Sequence, residues 1–160
     1  KALGRVMLDA LIREKKVRRL GEFVSAPAFA PELSASDERI LSSMVEEIRQ
    51  GRFQPPGLGD LSVAKNADRK RLARLATLAV AIGELVPIDA SIFLHAENEQ
   101  GLRSRVGDLI EKEGGATVSR VREVLESSRK FTVPYLEYLD RIGFTQRHGD
   151  VRKLRNSNGT

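Results

Sequence analysis

Hydrophobic positions along this chain fall mostly at the three- and four-residue intervals of a buried helix face, interrupted by short alternating stretches of the kind that pair as strands. Val6, Ala10 and Leu11 share a helical face and lead into an alternating stretch from Val17 to Val24. Leu72, Leu75, Ala79 and Ile82 predict a helix ending at Gly83, after which Leu85 to Leu94 predict a short hairpin. Val133, Leu136, Leu139 and Ile142 predict a helix ending at Gly143, followed by a hairpin from Phe144 to Leu154. In all three places the apolar residue that opens the hairpin precedes one in the return strand by the same interval: Val17 and Val24, Leu85 and Ile92, Phe144 and Val151. A helix followed by a hairpin therefore recurs about every sixty residues, the mark of a repeated structural unit.

The residues ahead of each helix complete the unit. Leu102, Val106, Leu109 and Ile110 share a helical face, Gly114 and Gly115 stop that helix, Ala116 to Val118 favour a short strand, and Val121 and Leu125 carry a second helix that Ser127 and Ser128 break. Helix, short strand, helix, tight turn, helix and two-stranded wing is the order of a winged helix-turn-helix. The middle stretch follows the same order. Ser34 to Asp37 cap a helix carrying Ile40, Leu41, Met44, Val45 and Ile48, Pro55-Pro56-Gly57 ends a linker, and Leu58 and Leu61 open a short second helix. The expected fold is mainly α with small β-wings, as tandem winged helix-turn-helix domains. Residues 1–33 are expected to be the last helix and wing of one domain, 34–96 a complete domain and 97–160 a second complete domain.

The start of the last recognition helix has two solutions. Thr132 as N-cap places Pro134 in the first turn, where proline is tolerated; Ser128 as N-cap places Pro134 inside the helix. Only the second puts Arg129 and Lys130 in the first turn, where free N–H groups and cationic side chains can meet phosphate together.

Composition narrows the chemistry. With 41% hydrophobic and 31% charged residues the chain is neither a disordered polyelectrolyte nor a membrane protein, and no apolar run approaches the roughly 18 to 20 residues of a membrane span. It is expected to be a soluble monomer with no membrane partner. The absence of Cys excludes thiol nucleophiles, disulfides and thiolate metal sites. His95 and His148 lie far apart, and no phosphate-loop, dinucleotide or hydrolase motif is present. Neither a catalytic group nor a cofactor site is therefore expected. Beginning at Lys1 without Met or a signal peptide, the sequence is expected to be a piece of a longer protein.

Charge supplies the functional lead. Lys and Arg number 27 against 22 acids, a net charge of +5 that favours a polyanionic partner. The excess gathers between Lys1 and Arg19, between Lys65 and Arg74, and between Arg129 and Arg155, with acids from Glu32 to Glu47 separating the first two groups.

Residues 128–154 carry Ser128-Arg129-Lys130, then Leu136-Glu-Tyr-Leu-Asp-Arg-Ile-Gly-Phe-Thr-Gln-Arg147, then Gly149-Asp-Val-Arg-Lys-Leu154. This stretch resembles the C-terminal end of the bacterial selenocysteine-specific translation elongation factors, whose last winged helix carries S-R-K, L-E-x-L-D-R-x-G-x-T-x-R and G-D-x-R-x-L. The stretches from Gly83 to Val86 and from Ile92 to Glu97 are similar to the family's preceding wing, so the likeness covers about residues 34–155. The resemblance implies the tail of a GTPase that delivers selenocysteinyl-tRNA, with the last winged helix gripping a selenoprotein mRNA hairpin beside a recoded UGA. It implies Ser128, Arg129, Lys130, Arg147 and Arg152 as RNA contacts, with Gln146, His148 and Gly149 beside them. It further implies a cytoplasmic protein, a ribosome partner, selenocysteinyl-tRNA held by domains outside this chain, and GTP and Mg in those domains with no cofactor here.

An RNA target suits these residues. The deep, narrow major groove of A-form RNA shuts out a recognition helix, so reading falls to loop bases and backbone geometry. An Arg fork makes bidentate phosphate contacts and stacks on bases, while Lys supplies a point charge. Other cations have plainer expectations. Arg141 is placed for a helix ion pair with Glu137, at least one of Tyr135 and Tyr138 for the core, and His95 for a hydrogen bond at a domain junction. Arg69-Lys70-Arg71 suits ribosomal RNA or solvent equally. Two other functions fit the same fold: a DNA-binding transcriptional regulator, and a scaffold whose winged helices space other domains.

Overall fold

The computed structural model describes residues 33–155. The hairpin from Val17 to Val24 and the expected domain end within residues 1–33 lie outside the described residues, apart from Leu33.

Ser34 caps α1 (Ala35–Gln50) by accepting the Asp37 N–H at 3.0 Å, and Leu41, Met44, Val45 and Ile48 form its buried stripe. The short α2 (Leu58–Lys65) starts where the Gly57 N–H donates to Asp60 Oδ2 at 3.2 Å, and it ends at Asn66 in the left-handed region. After it, α3 (Arg69–Ala81) buries Leu72, Leu75, Ala76 and Ala79 and stops ahead of Gly83, whose φ of 81° no β-branched residue would adopt comfortably. The wing is β1 (Leu85–Pro87) paired antiparallel with β2 (Phe93–His95), in register Leu85 to His95. Ile92 lies just outside β2, where its carbonyl accepts the Ile88 N–H and its own N–H donates to Asp89 Oδ1 to close the loop.

β2 runs into α4 (Ala96–Glu113) with no linker, because His95 is at once the last strand residue and the helix N-cap. The left-handed Gly114 ends α4, and β3 (Ala116–Thr117) leads at once into α5 (Val118–Leu125), with Val118 opening the helix instead of extending the strand. The recognition helix α6 runs Arg129–Arg141. Ser128 is its N-cap and Pro134 lies inside it, which settles the ambiguity left open by the sequence. Thr132, the other candidate cap, is buried in the second turn and donates its hydroxyl to the Ser128 carbonyl at 2.9 Å. The wing is β4 (Thr145–His148) and β5 (Val151–Leu154), and β3 joins it to give the order β3-β5-β4.

The two units share one plan. α2 and α5 match in length, as do α3 and α6, and each pair is offset by sixty positions along the chain. One element breaks the match. Where the last unit has β3, the middle unit has the turn and coil of residues 51–57, in which Pro55 and Pro56 lack the N–H a ladder needs.

The same segment carries the junction. Phe53 is buried with the core of the last unit beside Leu102, Val106, Tyr135 and Leu139, and Ile88, Ile92 and Leu94 of the middle wing join it there. Its ring meets Tyr135 edge-on at 6.4 Å and lies under the Arg105 guanidinium at 5.4 Å. Its carbonyl accepts the hydroxyls of both Ser127 and Tyr135. Each unit keeps a core of its own, yet part of the middle unit's wing is packed into its neighbour. No helix among the described residues is long and apolar enough to cross a membrane.

Candidate nucleic-acid interface

The first turn of α6 gathers three of the expected residues. Ser128, Arg129 and Lys130 come together because α6 begins at Arg129 and its first amides have no helical partner to bond. The Ser128 hydroxyl makes no capping bond; its backbone carbonyl instead accepts the Phe131 and Thr132 N–H groups. Arg129 is exposed, and among the described residues no carboxylate pairs with it. Lys130 is also exposed, its Nζ 5.4 Å from the centre of the Phe131 ring. A hydroxyl, free amides and two cations thus face solvent at the positive end of a helix dipole, an arrangement suited to phosphate oxygens.

The wing supplies the second group. Gly149 has φ 61° and opens a two-residue turn whose twist suits a hairpin. Gln146, Arg147 and His148 are exposed on the strand leading into that turn. Arg147 donates from Nε to the Gly149 carbonyl at 2.8 Å, which ties this exposed side chain to the wing tip.

Arg152 departs from expectation. Its residue is 5% exposed, and Nε donates to Asp140 Oδ2 at 3.3 Å, so the side chain is buried against the body of the domain and does not join the exposed edge. The reason is strand parity. Arg152 stands opposite Ala116 on one side and Arg147 on the other, on the sheet face that also carries the buried Thr145. Arg147 shares that face but sits beyond the end of the core, toward the tip.

Other expectations resolve toward structure. Both tyrosines are buried, so neither is free to stack on a base. Tyr138 donates to Glu99 Oε1 at 2.8 Å, and burial pushes its hydroxyl up to about 12; burial likewise raises that of Tyr135. Arg141 does not pair with Glu137. It donates from Nη2 to the Ile88 carbonyl at 2.6 Å and lies over the Tyr138 ring, bridging the last helix to the middle wing. His95 accepts the Glu97 N–H at Nδ1 and lies 3.4 Å from Glu84 through Nε2. In the middle basic group, Arg71 and Arg74 pair with Asp37, and Lys65 pairs with Glu47. The Arg71 hydrogen bond holds the Asp37 carboxyl below its usual range. Only Arg69 and Lys70 of that group are exposed without a carboxylate partner among the described residues.

Two residues that matter here escaped the sequence. Asp140 receives both Arg152 and the Thr145 hydroxyl, the latter at 2.6 Å on Oδ1. Its signal was a carboxylate at the C-terminal end of a helix, where the dipole disfavours it. Phe53, a lone aromatic in a proline-rich linker, gave no periodic signal at all.

Comparison with known proteins bears on the fold. The family model described as "Elongation factor SelB, winged helix" matches residues 108–154. The selenocysteine-specific elongation factor of Haemophilus influenzae is 23% identical over 151 residues, covering 94% of this chain and 24% of that protein. The one from Desulfomicrobium baculatum is 22% identical over 149 residues, covering 93% and 24%. The chain thus spans about a quarter of the length of these curated relatives. Among solved structures, the mRNA-binding domain of elongation factor SelB from E. coli, in complex with SECIS RNA, aligns with a TM-score of 0.68 and 24% identity, over 78% of this chain and all of that one. A bacterial selenocysteine-specific elongation factor EF-Sec aligns with a TM-score of 0.51 and 20% identity, over 77% of this chain and 19% of that one. Both establish the tandem winged-helix fold. The chain is similar to the selenocysteine-specific elongation factors, and residues 108–154 within its last unit match the winged-helix model of that family.

Proposed function

We propose that this chain is the mRNA-hairpin-binding region of a selenocysteine-specific elongation factor, and that its last winged helix grips the loop end of a selenoprotein message. The observation that carries the proposal is the cationic edge: Arg129 and Lys130, with no carboxylate partner among the described residues, beside Ser128 at the open end of α6, with Arg147 held at the wing tip. The E. coli relative whose fold it shares was solved with SECIS RNA, which supports RNA over DNA as the ligand. Arg129, Lys130 and Arg147 contact phosphates flanking the loop; Ser128, Gln146, His148 and the backbone at Gly149 complete the contact surface.

Hairpin binding tethers selenocysteinyl-tRNA delivery to a recoded UGA on the ribosome, in the cytoplasm. The GTPase activity, with its GTP and Mg, belongs to domains outside this chain. The chain itself binds and does not catalyse, and acts as a monomer in which residues 34–96 space the last unit, 97–160, from what precedes it.

Binding of the chain to a SECIS hairpin, to its stem alone and to duplex DNA, each at two salt concentrations, tests this. A preference for the loop-bearing RNA that survives added salt supports the proposal. Equal binding to all three, with a common salt slope near −0.9 per phosphate on duplex DNA, would reduce the edge to nonspecific electrostatics; a preference for duplex DNA would favour a transcriptional regulator.

A further inference from the structure

We propose that Asp140, with Thr145 and Arg152, is a clamp that positions Arg147 for RNA, so that three residues touching no nucleotide set the aim of the wing. The inference rests on the RNA-binding reading above and concerns how its edge is held in place.

Asp140 lies in the last turn of α6 and uses both carboxylate oxygens on the wing. Oδ1 accepts the Thr145 hydroxyl at 2.6 Å at the start of β4, and Oδ2 accepts Arg152 Nε at 3.3 Å on β5. One side chain thus ties the C-terminal end of the recognition helix to both strands of the hairpin. Arg152 is directly opposite Arg147 in the register, on the same sheet face. Two guanidinium groups facing each other across a ladder repel. Asp140 draws one of them inward and neutralises it, leaving Arg147 to bond the Gly149 carbonyl and project at the tip.

The middle unit shows that the fold does not need this clamp. By register in the wing, the places of Asp140, Thr145 and Arg152 are taken in the middle unit by Val80, Leu85 and Phe93, of which Leu85 is buried in an apolar cluster and Val80 and Phe93 pack against it. The middle wing thus lies against α3 on an apolar contact, with no ion pair between that helix and the wing among the described residues. A buried ion pair is weak as a source of stability and stronger as a device for fixing geometry, and a carboxylate at the C-terminal end of a helix opposes the dipole. Both point away from stability as the reason for the clamp. It occurs on the wing that carries Arg147, and its counterpart is absent from the wing that packs against a neighbour.

The test is a double-mutant cycle in the full chain, with a SECIS hairpin as probe. Asp140→Asn and Thr145→Val are each expected to weaken binding by about tenfold, or about 1.4 kcal/mol. In an Arg147→Ala background the same changes should cost less than about twofold, because their effect passes through Arg147. The sign for Asp140→Asn is decisive: removing a negative charge from a cationic edge would tighten RNA binding if only electrostatics mattered. Tighter or unchanged binding by a folded Asp140→Asn protein overturns the clamp, as does a loss that persists at full size without Arg147. Should Asp140→Asn abolish cooperative melting, Thr145→Val, which alters no charge, decides by the same cycle. A wild-type chain with no preference for the hairpin over its stem would instead overturn the RNA reading itself.

Discussion

The first turns of α3 and α6 occupy the same place in two copies of one plan, and both present an arginine followed by a lysine: Arg69-Lys70 in the middle unit, Arg129-Lys130 in the last. Their surroundings differ. Asp68 precedes the first pair as N-cap and adds a negative charge beside it, whereas Ser128 precedes the second with a neutral hydroxyl. The Arg69 guanidinium lies across Gly59 of α2, in space a side chain there would fill, while the equivalent position in the last unit is Ser119. Wings diverge in the same direction: the middle one holds no cation from Leu85 to Leu94 and packs part of itself into the neighbour, and the last one leaves Arg147 at its tip. Under the proposed function, two modules of similar plan divide the labour, one as a mount and one as a gripping edge. Cation number does not separate them; the partners each cation finds in space do.

The comparison breaks most visibly at Phe53. If the middle unit is a mount, Phe53→Ala should destabilise the chain by about 3 to 5 kcal/mol in denaturant unfolding, the scale for deleting a buried aromatic ring. A loss below about 1 kcal/mol would mean that the ring is not the packed contact drawn above. Next in size is the gripping edge. Arg129→Ala and Arg147→Ala should each weaken hairpin binding by about 1 to 3 kcal/mol, while Arg69→Ala and Lys70→Ala leave it within about twofold; equal losses from the two pairs in titration would erase the division.

Tyr135→Phe sharpens the junction further. It removes one of two donors to the Phe53 carbonyl and leaves Ser127 in place, so about 0.5 to 1.5 kcal/mol should be lost in thermal or urea melts. Smallest is the response to acid in the middle unit. The Asp37 carboxyl, held down chiefly by Arg71, contributes stability that is complete above its ordinary value of 3.8 and is lost as the pH falls through the lowered one. Urea midpoints of wild type should therefore drop on acidification below about pH 4 by more than those of Asp37→Asn. Parallel curves would show that the pairs with Arg71 and Arg74 do not matter to folding.

Much of this architecture was legible in the chain. Helix faces, the Gly83 and Gly143 stops and the recurrence of helix and hairpin follow from periodicity and from residues with restricted backbone choices, both local properties. The grouping of Ser128, Arg129 and Lys130 was legible through its motif, and the structure brings them together at the start of α6 with both cations exposed. The burial of Arg152 was not legible, because a basic residue in a basic stretch carries no local sign of which way its strand faces. Counting parity from the buried Thr145, through its Leu154 partner, would have turned it inward. Arg141 misled for a related reason: its partner, the Ile88 carbonyl, lies in another unit and is invisible at helical spacing. A lone Phe53 between Arg52 and Gln54 looks like any linker residue until the pocket beside Tyr135 exists to receive it.

By itself, the order of residues determined that two helical units with small wings would form and that the last would carry exposed cations, because helix, turn and strand preferences act over a few neighbours. Which of those cations stay free, which wing is packed away, and where Arg147 is aimed were decided only when segments far apart in the chain met. A charge is neutralised or left open by what stands within a few ångströms of it, and that neighbourhood is made by tertiary packing.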